Sequence, residues 1–122
     1  MSSSDMQYLL MCCIDERRWN ALPEQEREGI MRDYGAWLQG IDASRQHLAS
    51  TKLRPSATAA TIRAKNGKPV ITDGPFAETK EQIGGYHLID CKDLGEAISI
   101  AERIPTLRVG GTIEVRQVEP AP

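Results

Sequence analysis

His47 and His87 are the two histidines of this 122-residue chain, and histidine is the side chain whose ordinary titration lies closest to neutral pH. Either can therefore act as general acid or base. Asp73 opens an unusual acidic stretch, Asp73-Gly74-Pro75-Phe76-Ala77-Glu78-Thr79-Lys80-Glu81, and burial there would raise a carboxylate toward the range useful to a base. Tyr86 can donate a hydrogen bond to a developing oxyanion. Arg54, Arg63 and Lys80 supply positive charge for an anionic substrate, Arg63 through a forked contact. The expected catalytic candidates are thus Asp73, His87 and Tyr86, with Arg63, Glu78, Lys80, Arg54 and His47 as substrate-binding candidates. A plainer expectation stands beside this one. Asp73 caps the loop, Glu78, Lys80 and Glu81 pair with arginines of this chain or of a second copy, and the histidines pack or hydrogen-bond in the interior.

Other chemistries find less support. Two histidines forty positions apart, with carboxylates in no helical spacing, form no recognised ligand set, so no metal is expected. Neither G-x-G-x-x-G nor G-x-x-x-x-G-K occurs, so no nucleotide cofactor is expected. Cys12, Cys13 and Cys91 form no C-x-x-C pair. On a strand, Cys12 and Cys13 point to opposite faces and should not bridge, so they are expected as packing residues.

These side chains need elements to hold them. The apolar run Met6-Gln7-Tyr8-Leu9-Leu10-Met11-Cys12-Cys13-Ile14 suits a strand covered on both faces. From Pro23 onward, Ile30, Tyr34, Trp37, Leu38 and Ile41 recur at helical spacing, with acidic residues at the favourable end of the dipole. Residues 46–50 are expected as a short strand. Residues 57–64 and 69–72 form a hairpin around Asn66-Gly67, a turn that needs positive φ. A loop from residue 73 to about 82 leads to a strand over 84–91. Asp93 and Glu96 then form a capping box for a helix burying Leu94, Ala97, Ile98, Ala101 and Ile104 and stopped by Pro105. Residues 112–118 alternate and close the fold as a strand.

This order predicts an α+β, ferredoxin-like split βαβ sandwich with an inserted β-hairpin, with helices on one face of an antiparallel sheet. A single domain spans residues 1–122, with an ordered core over about 6–118. The other sheet face would lie bare, so a homodimer is expected.

Composition narrows the function classes. With one Phe, two Trp and three Tyr, the core must be mostly aliphatic. The net charge of −2 conceals a basic island: residues 1–42 carry −4, residues 43–72 carry six bases and no acid, and residues 73–122 carry −4. The island suits a small anionic ligand or an acidic surface in the same chain or a second copy. Nucleic acid is not expected, because the whole chain is slightly acidic and shows no groove-reading motif. The polar start, Met1-Ser2-Ser3-Ser4-Asp5, and the short apolar run after it predict a cytoplasmic protein without a membrane span.

The stretch 73–81 spells DGPFAETKE, the signature for which the DGPF branch of the YCII-related family is named. Ala57-Thr58-Ala59-Ala60-Thr61-Ile62-Arg63 resembles the ATATTVR strand of that family, and Gln82-Ile83-Gly84-Gly85-Tyr86 resembles its QxGGY continuation. Residues 101–105, AERIP, resemble its AARIP helix end, residues 113–116, IEVR, its VEVRP strand, and Asp15-Glu16 with Trp19 its DE-x-x-W element. Nearly the whole chain is covered. His87 stands where a second Tyr or Phe is usual, and Gln117 where Pro is usual. The resemblance implies a dimeric α/β-barrel type of ferredoxin-like fold and leaves activity open. Wider relatives include a dehydrochlorinase, and members of the branch are often encoded beside extracytoplasmic-function sigma factors. Two functions follow as expectations: a small-molecule-binding protein or cofactor-independent acid–base enzyme of lyase or isomerase type, with its pocket near the 73–81 loop, or a non-catalytic dimeric module associated with such a sigma factor.

Overall fold

The apolar run near the amino end becomes the inner spine of a sheet. In the computed structural model, which describes residues 6–77 and 79–119, strand β1 (Met6–Asp15) lies between two antiparallel neighbours. Alternation sends Tyr8, Leu10 and Cys12 into the core and leaves Leu9, Met11 and Cys13 half-buried on the opposite face. Asp15 then caps helix α1 (Glu16–Ala21), its carboxylate accepting from the Arg17 and Arg18 amides at 3.1 and 3.2 Å.

Helix α2 (Glu24–Ala43) follows Pro23, which sits one position before the first helical residue. Ile30 and Ile41 are buried, and Tyr34, Trp37 and Leu38 pack against the core from the same side. At its end Arg45 takes φ +62°, with the Gln46 amide donating to Ile41 O and the Arg45 amide to Asp42 O. This is a Schellman closure with arginine where glycine is usual. It turns the chain directly into β2 (His47–Lys52).

Strands β3 (Ala60–Lys65) and β4 (Lys68–Asp73) form a separate two-stranded sheet. Their turn is the expected one, with Asn66 at φ +53° and Gly67 at φ +78°. Strand β5 (Glu81–Cys91), helix α3 (Leu94–Ala101) and strand β6 (Thr112–Gln117) complete the chain. The main sheet runs β2-β5-β1-β6 with antiparallel neighbours, an α+β arrangement compatible with the ferredoxin-like pattern. Its core joins Leu10, Ile89 and Ile104, the largest fully buried side chains, to Ala97, Ile100 and Ala101. Each large aliphatic group of this kind contributes about 1.5–3 kcal/mol.

Several local expectations shift. Residues 56–58 form a 3-10 turn after Pro55 instead of the start of a strand, with Thr58 Oγ1 donating to Pro55 O. Helix α1, Glu16–Ala21, has no counterpart among the expected elements. Helix α3 ends at Ala101, and Pro105 begins a second 3-10 turn, Pro105–Val109. The buried face of α3 uses Ala97, Ile100 and Ala101, with Ile104 buried just beyond its end, while Leu94 and Ile98 stay about half exposed. Both frames have helical spacing, and only the angle at which the helix meets the sheet selects one. Asp93 does cap it, accepting from the Glu96 amide at 2.8 Å, while Glu96 accepts from Lys92 N and Gln46 Nε2. Among the described residues no helix is long and apolar enough to cross a membrane.

Candidate functional site

A cleft of about 260 Å3 lies between α2 and the helix side of the sheet. Cys12, Ile14, Trp19, Met31, Tyr34 and Leu38 line it with apolar or aromatic surface, and Ser50, Lys52, His87 and Thr106 supply polar groups. Gly85 sets part of its wall. A Cβ there would stand 2.5 Å from Thr51 O, so only glycine allows β2 and β5 to approach this closely. Thr106 is buried, and its Oγ1 finds no hydrogen-bond partner among the described residues. An orphaned hydroxyl in a cleft wall is a polar handle for a bound molecule.

From the inner end of this cleft a line of polar groups leads to the surface. Tyr34 OH lies 2.5 Å from His87 Nε2, His87 Nδ1 2.5 Å from Ser50 Oγ, Ser50 Oγ 2.5 Å from His47 Nε2, and His47 Nδ1 2.6 Å from Asp42 Oδ1. Cys12 Sγ joins at 3.4 Å from Tyr34 OH. Two irregularities of the backbone assemble it. The Schellman closure brings Asp42 beside His47, five residues on. A register shift between His47 and Ala49 places His47 and Ser50 on one face of β2, although an odd spacing would separate them on a regular strand.

Donor and acceptor capacity orients the protons. An ionised Asp42 only accepts, so His47 donates from Nδ1. A neutral His47 then accepts at Nε2 from Ser50, Ser50 accepts from His87 Nδ1–H, and His87 Nε2 accepts from Tyr34. Burial, helped by the nearby His47, lowers the His87 pKa from 6.5 to about 4, so its ring is neutral at physiological pH. Burial likewise pushes the Tyr34 hydroxyl well above its ordinary range, with the Cys12 hydrogen bond adding to the effect, and raises the Cys12 thiol. The His87 ring is held between Trp37, edge-on at 4.8 Å between centroids, and Tyr34 at 5.6 Å, while Trp37 Nε1 is tied to Ile100 O at 2.9 Å.

Over the described part of its length the chain thus sets a polar line beside an apolar cleft, and the YCII-related domain is the family whose model matches it, over residues 6–122. The chain belongs to the YCII-related family. Its sequence is similar to "Uncharacterized protein R00369" of Rhizobium meliloti (strain 1021), with 38% identity over 112 residues, 91% of this chain and 90% of that protein.

In this YCII-related chain the expected site residues divide between places. His87 and His47 meet through Ser50. Tyr86, next to His87 on β5, points to the opposite face of the sheet, opposite Met11 of β1 and Thr51 of β2. Asp73, at the end of β4, is exposed and shares a larger, more polar cavity of about 670 Å3 with Lys80, Arg17, Glu16 and Gln82. Arg63 donates from Nη2 to Phe76 O at 2.8 Å, and Arg54 is exposed near Pro75 and Phe76. Glu78 lies outside the described residues. Asp73, Tyr86 and His87 therefore do not converge. The residues that do, Asp42, Ser50, Tyr34 and Cys12, were legible in sequence only as helix, strand or packing positions. Among the described residues no three His, Cys, Asp or Glu side chains are grouped to hold a metal ion. Within this chain the Lys and Arg of the basic island form no ion pair with the acidic flanks among the described residues, whose ion pairs are Asp42–His47, Asp33–Arg108 and Glu114–Arg116.

Proposed function

We propose that this protein binds a small, mainly apolar molecule carrying one polar or anionic group in the cleft beneath α2, and moves a proton on it without a redox or nucleotide cofactor. The carrying observation is the hydrogen-bonded His87–Tyr34 pair beside an apolar cleft, neutral and shielded from water. In a neutral imidazole hydrogen-bonded to a phenol, the imidazole nitrogen can accept the phenol proton as the phenol oxygen takes one from a bound molecule. Lys52 and the orphaned Thr106 hydroxyl offer the ligand's polar group a charge and a hydrogen bond. The reaction class that fits is a proton shift or an elimination started by proton abstraction.

The test is a mass-spectrometric screen of small carbonyl compounds and phenols, incubated with the protein in deuterium oxide. Deuterium should enter an acidic C–H position of at least one compound, and His87→Phe should lower that rate at least tenfold. Ligands that perturb only the Asp73 cavity, with no exchange catalysed, would overturn the reading.

We also propose that the open sheet face is covered by a second copy. Leu9, Met11, Tyr86 and Leu88 are cross-strand neighbours on it, with Glu114 opposite Met11 and Arg116 opposite Leu9. A two-fold axis here can set Glu114 of one copy against Arg116 of the other. Sedimentation should give a dimer that Met11→Glu dissociates. A monomer that instead captures a purified extracytoplasmic-function sigma factor would favour an interaction module.

A further inference from the structure

The line beyond His87 is longer than an acid–base pair needs. A histidine already oriented by Tyr34 and Trp37 gains little positioning from three more groups leading outward. Those groups do make an unbroken path. Each link is 2.5 or 2.6 Å, and the outer end reaches solvent, with the Asp42 side chain 63% exposed and that of His47 19%.

We propose that Asp42, His47 and Ser50 form a proton relay connecting the His87–Tyr34 pair in the cleft with bulk water. This rests on the acid–base reading of the cleft.

The atoms balance at each hop. A C–H or O–H proton of the bound molecule passes to Tyr34 O, and the molecule keeps the electron pair. The Tyr34 proton moves to His87 Nε2, the His87 Nδ1 proton to Ser50 Oγ, and the Ser50 proton to His47 Nε2. His47 is then an imidazolium against the Asp42 carboxylate, and its Nδ1 proton leaves to water. The bonds among Tyr34, His87, Ser50 and His47 Nε2 now point the other way, with Tyr34 O–H ready to donate into the cleft, while His47 Nδ1 faces the Asp42 carboxylate without a proton until it takes one from water. A proton taken up at His47 Nδ1 and one donated by Tyr34 restore the starting arrangement. One abstraction followed by one donation resets the line without a separate rotation step. The relay therefore suits a proton shift whose moved proton exchanges with solvent.

The titratable and charged groups around this line are Asp42 and Tyr34 of α2, Cys12 of β1, His87 of β5 and Lys52 of β2, with Glu96 of α3 bound to the adjacent Gln46. Asp42 and Ser50 are exposed and His47 is partly exposed, so the outer three groups of the line border water. Adding a proton to His47 reverses the line, so the His87 proton must change nitrogen while the ring stays neutral.

That change can be read in the ligand-free full chain labelled with 15N-histidine. With His47 neutral, both rings should carry the proton on Nδ1. As pH falls and His47 gains its second proton, the His87 Nδ1 resonance should cross from the protonated range to the lone-pair range and Nε2 the reverse, at the midpoint of His47. In Ser50→Ala, a change too small to threaten folding, His87 should lose that coupling. Asp42→Asn, on an exposed side chain, should move both midpoints together in the otherwise native chain. A His87 proton on Nε2 throughout, or identical His87 behaviour in the wild type and Ser50→Ala, would overturn the relay. Covalent capture of Ser50 by a fluorophosphonate probe, abolished by Asp42→Asn, would also overturn it and make Ser50 a nucleophile. Failure here leaves deuterium exchange in the cleft intact, whereas failure of the cleft reading abolishes exchange and leaves the histidine coupling in place.

Discussion

The cleft beneath α2 and the segment around Asp73 are both rich in polar side chains, and they use them in opposite ways. Around Asp73 the polar groups brace the backbone. Thr61 Oγ1 donates to Gly74 O, the Gly74 amide to Ala59 O, Arg63 to Phe76 O, and Gln82 Nε2 to Ala77 O and Thr79 O. Asp73, Lys80 and Phe76 stand in water, Phe76 at 76% exposure. Beneath α2 the polar groups bond to one another beside a cavity that is smaller and more apolar than the one at Asp73. A titratable side chain becomes chemically useful when it is taken out of water and coupled to a partner, so the most distinctive stretch of sequence and the most reactive arrangement need not coincide.

That contrast can be broken by experiment, and the largest expected effect comes from His87. Its folded pKa of about 4 lies below the ordinary 6.5, so between these values the unfolded chain binds a proton that the folded chain does not. Stability should be full above about pH 6.5 and fall as pH drops toward 4, by roughly 3 kcal/mol from this group. Urea unfolding across that window should show the loss in the wild type, with a shallower slope in His87→Phe. Equal slopes would place His87 in contact with water and erase the difference between the two regions.

Tyr34→Phe tests the same side more gently. It leaves His87 Nε2 buried without its donor, and unfolding at pH 7 should show a cost of about 1–3 kcal/mol. A neutral result would mean that the pair is not formed in solution. The smallest effect belongs to the other region. Arg63→Ala removes an exposed contact to Phe76 O and should change stability by less than about 0.5 kcal/mol, with no change in deuterium exchange in the cleft. A large loss of exchange in Arg63→Ala would move the chemistry back toward the Asp73 segment.

Legibility followed the same division. The Asn66-Gly67 turn, the Asp93–Glu96 cap and the apolar face of α2 are local signals, each fixed by a few neighbouring residues, and each formed as expected. The alternation of β6 gave its inward residues, Ile113 and Val115, whereas β1, expected to be covered on both faces, fully buries only the Tyr8, Leu10 and Cys12 side within this chain. The relay was not legible for reasons of geometry. Asp42 and His47 sit together because Arg45, not glycine, adopts the left-handed conformation, which gives no sequence cue. His47 and Ser50 share a face only because a bulge breaks the two-residue period. Tyr34 spaces as an ordinary core residue, and nothing short of the packing of α2 over β5 shows its hydroxyl meeting His87, 53 positions away.

By itself, the sequence determined the family, the β-strands and the two longer helices, and the presence of a β-hairpin, because turns, caps and hydrophobic periods are set by interactions within a few residues. The tertiary structure alone decided which titratable groups leave water and which of them touch. Burial and hydrogen-bond partnership depend on how α2 crosses β2 and β5, and on two backbone irregularities that local pattern does not encode.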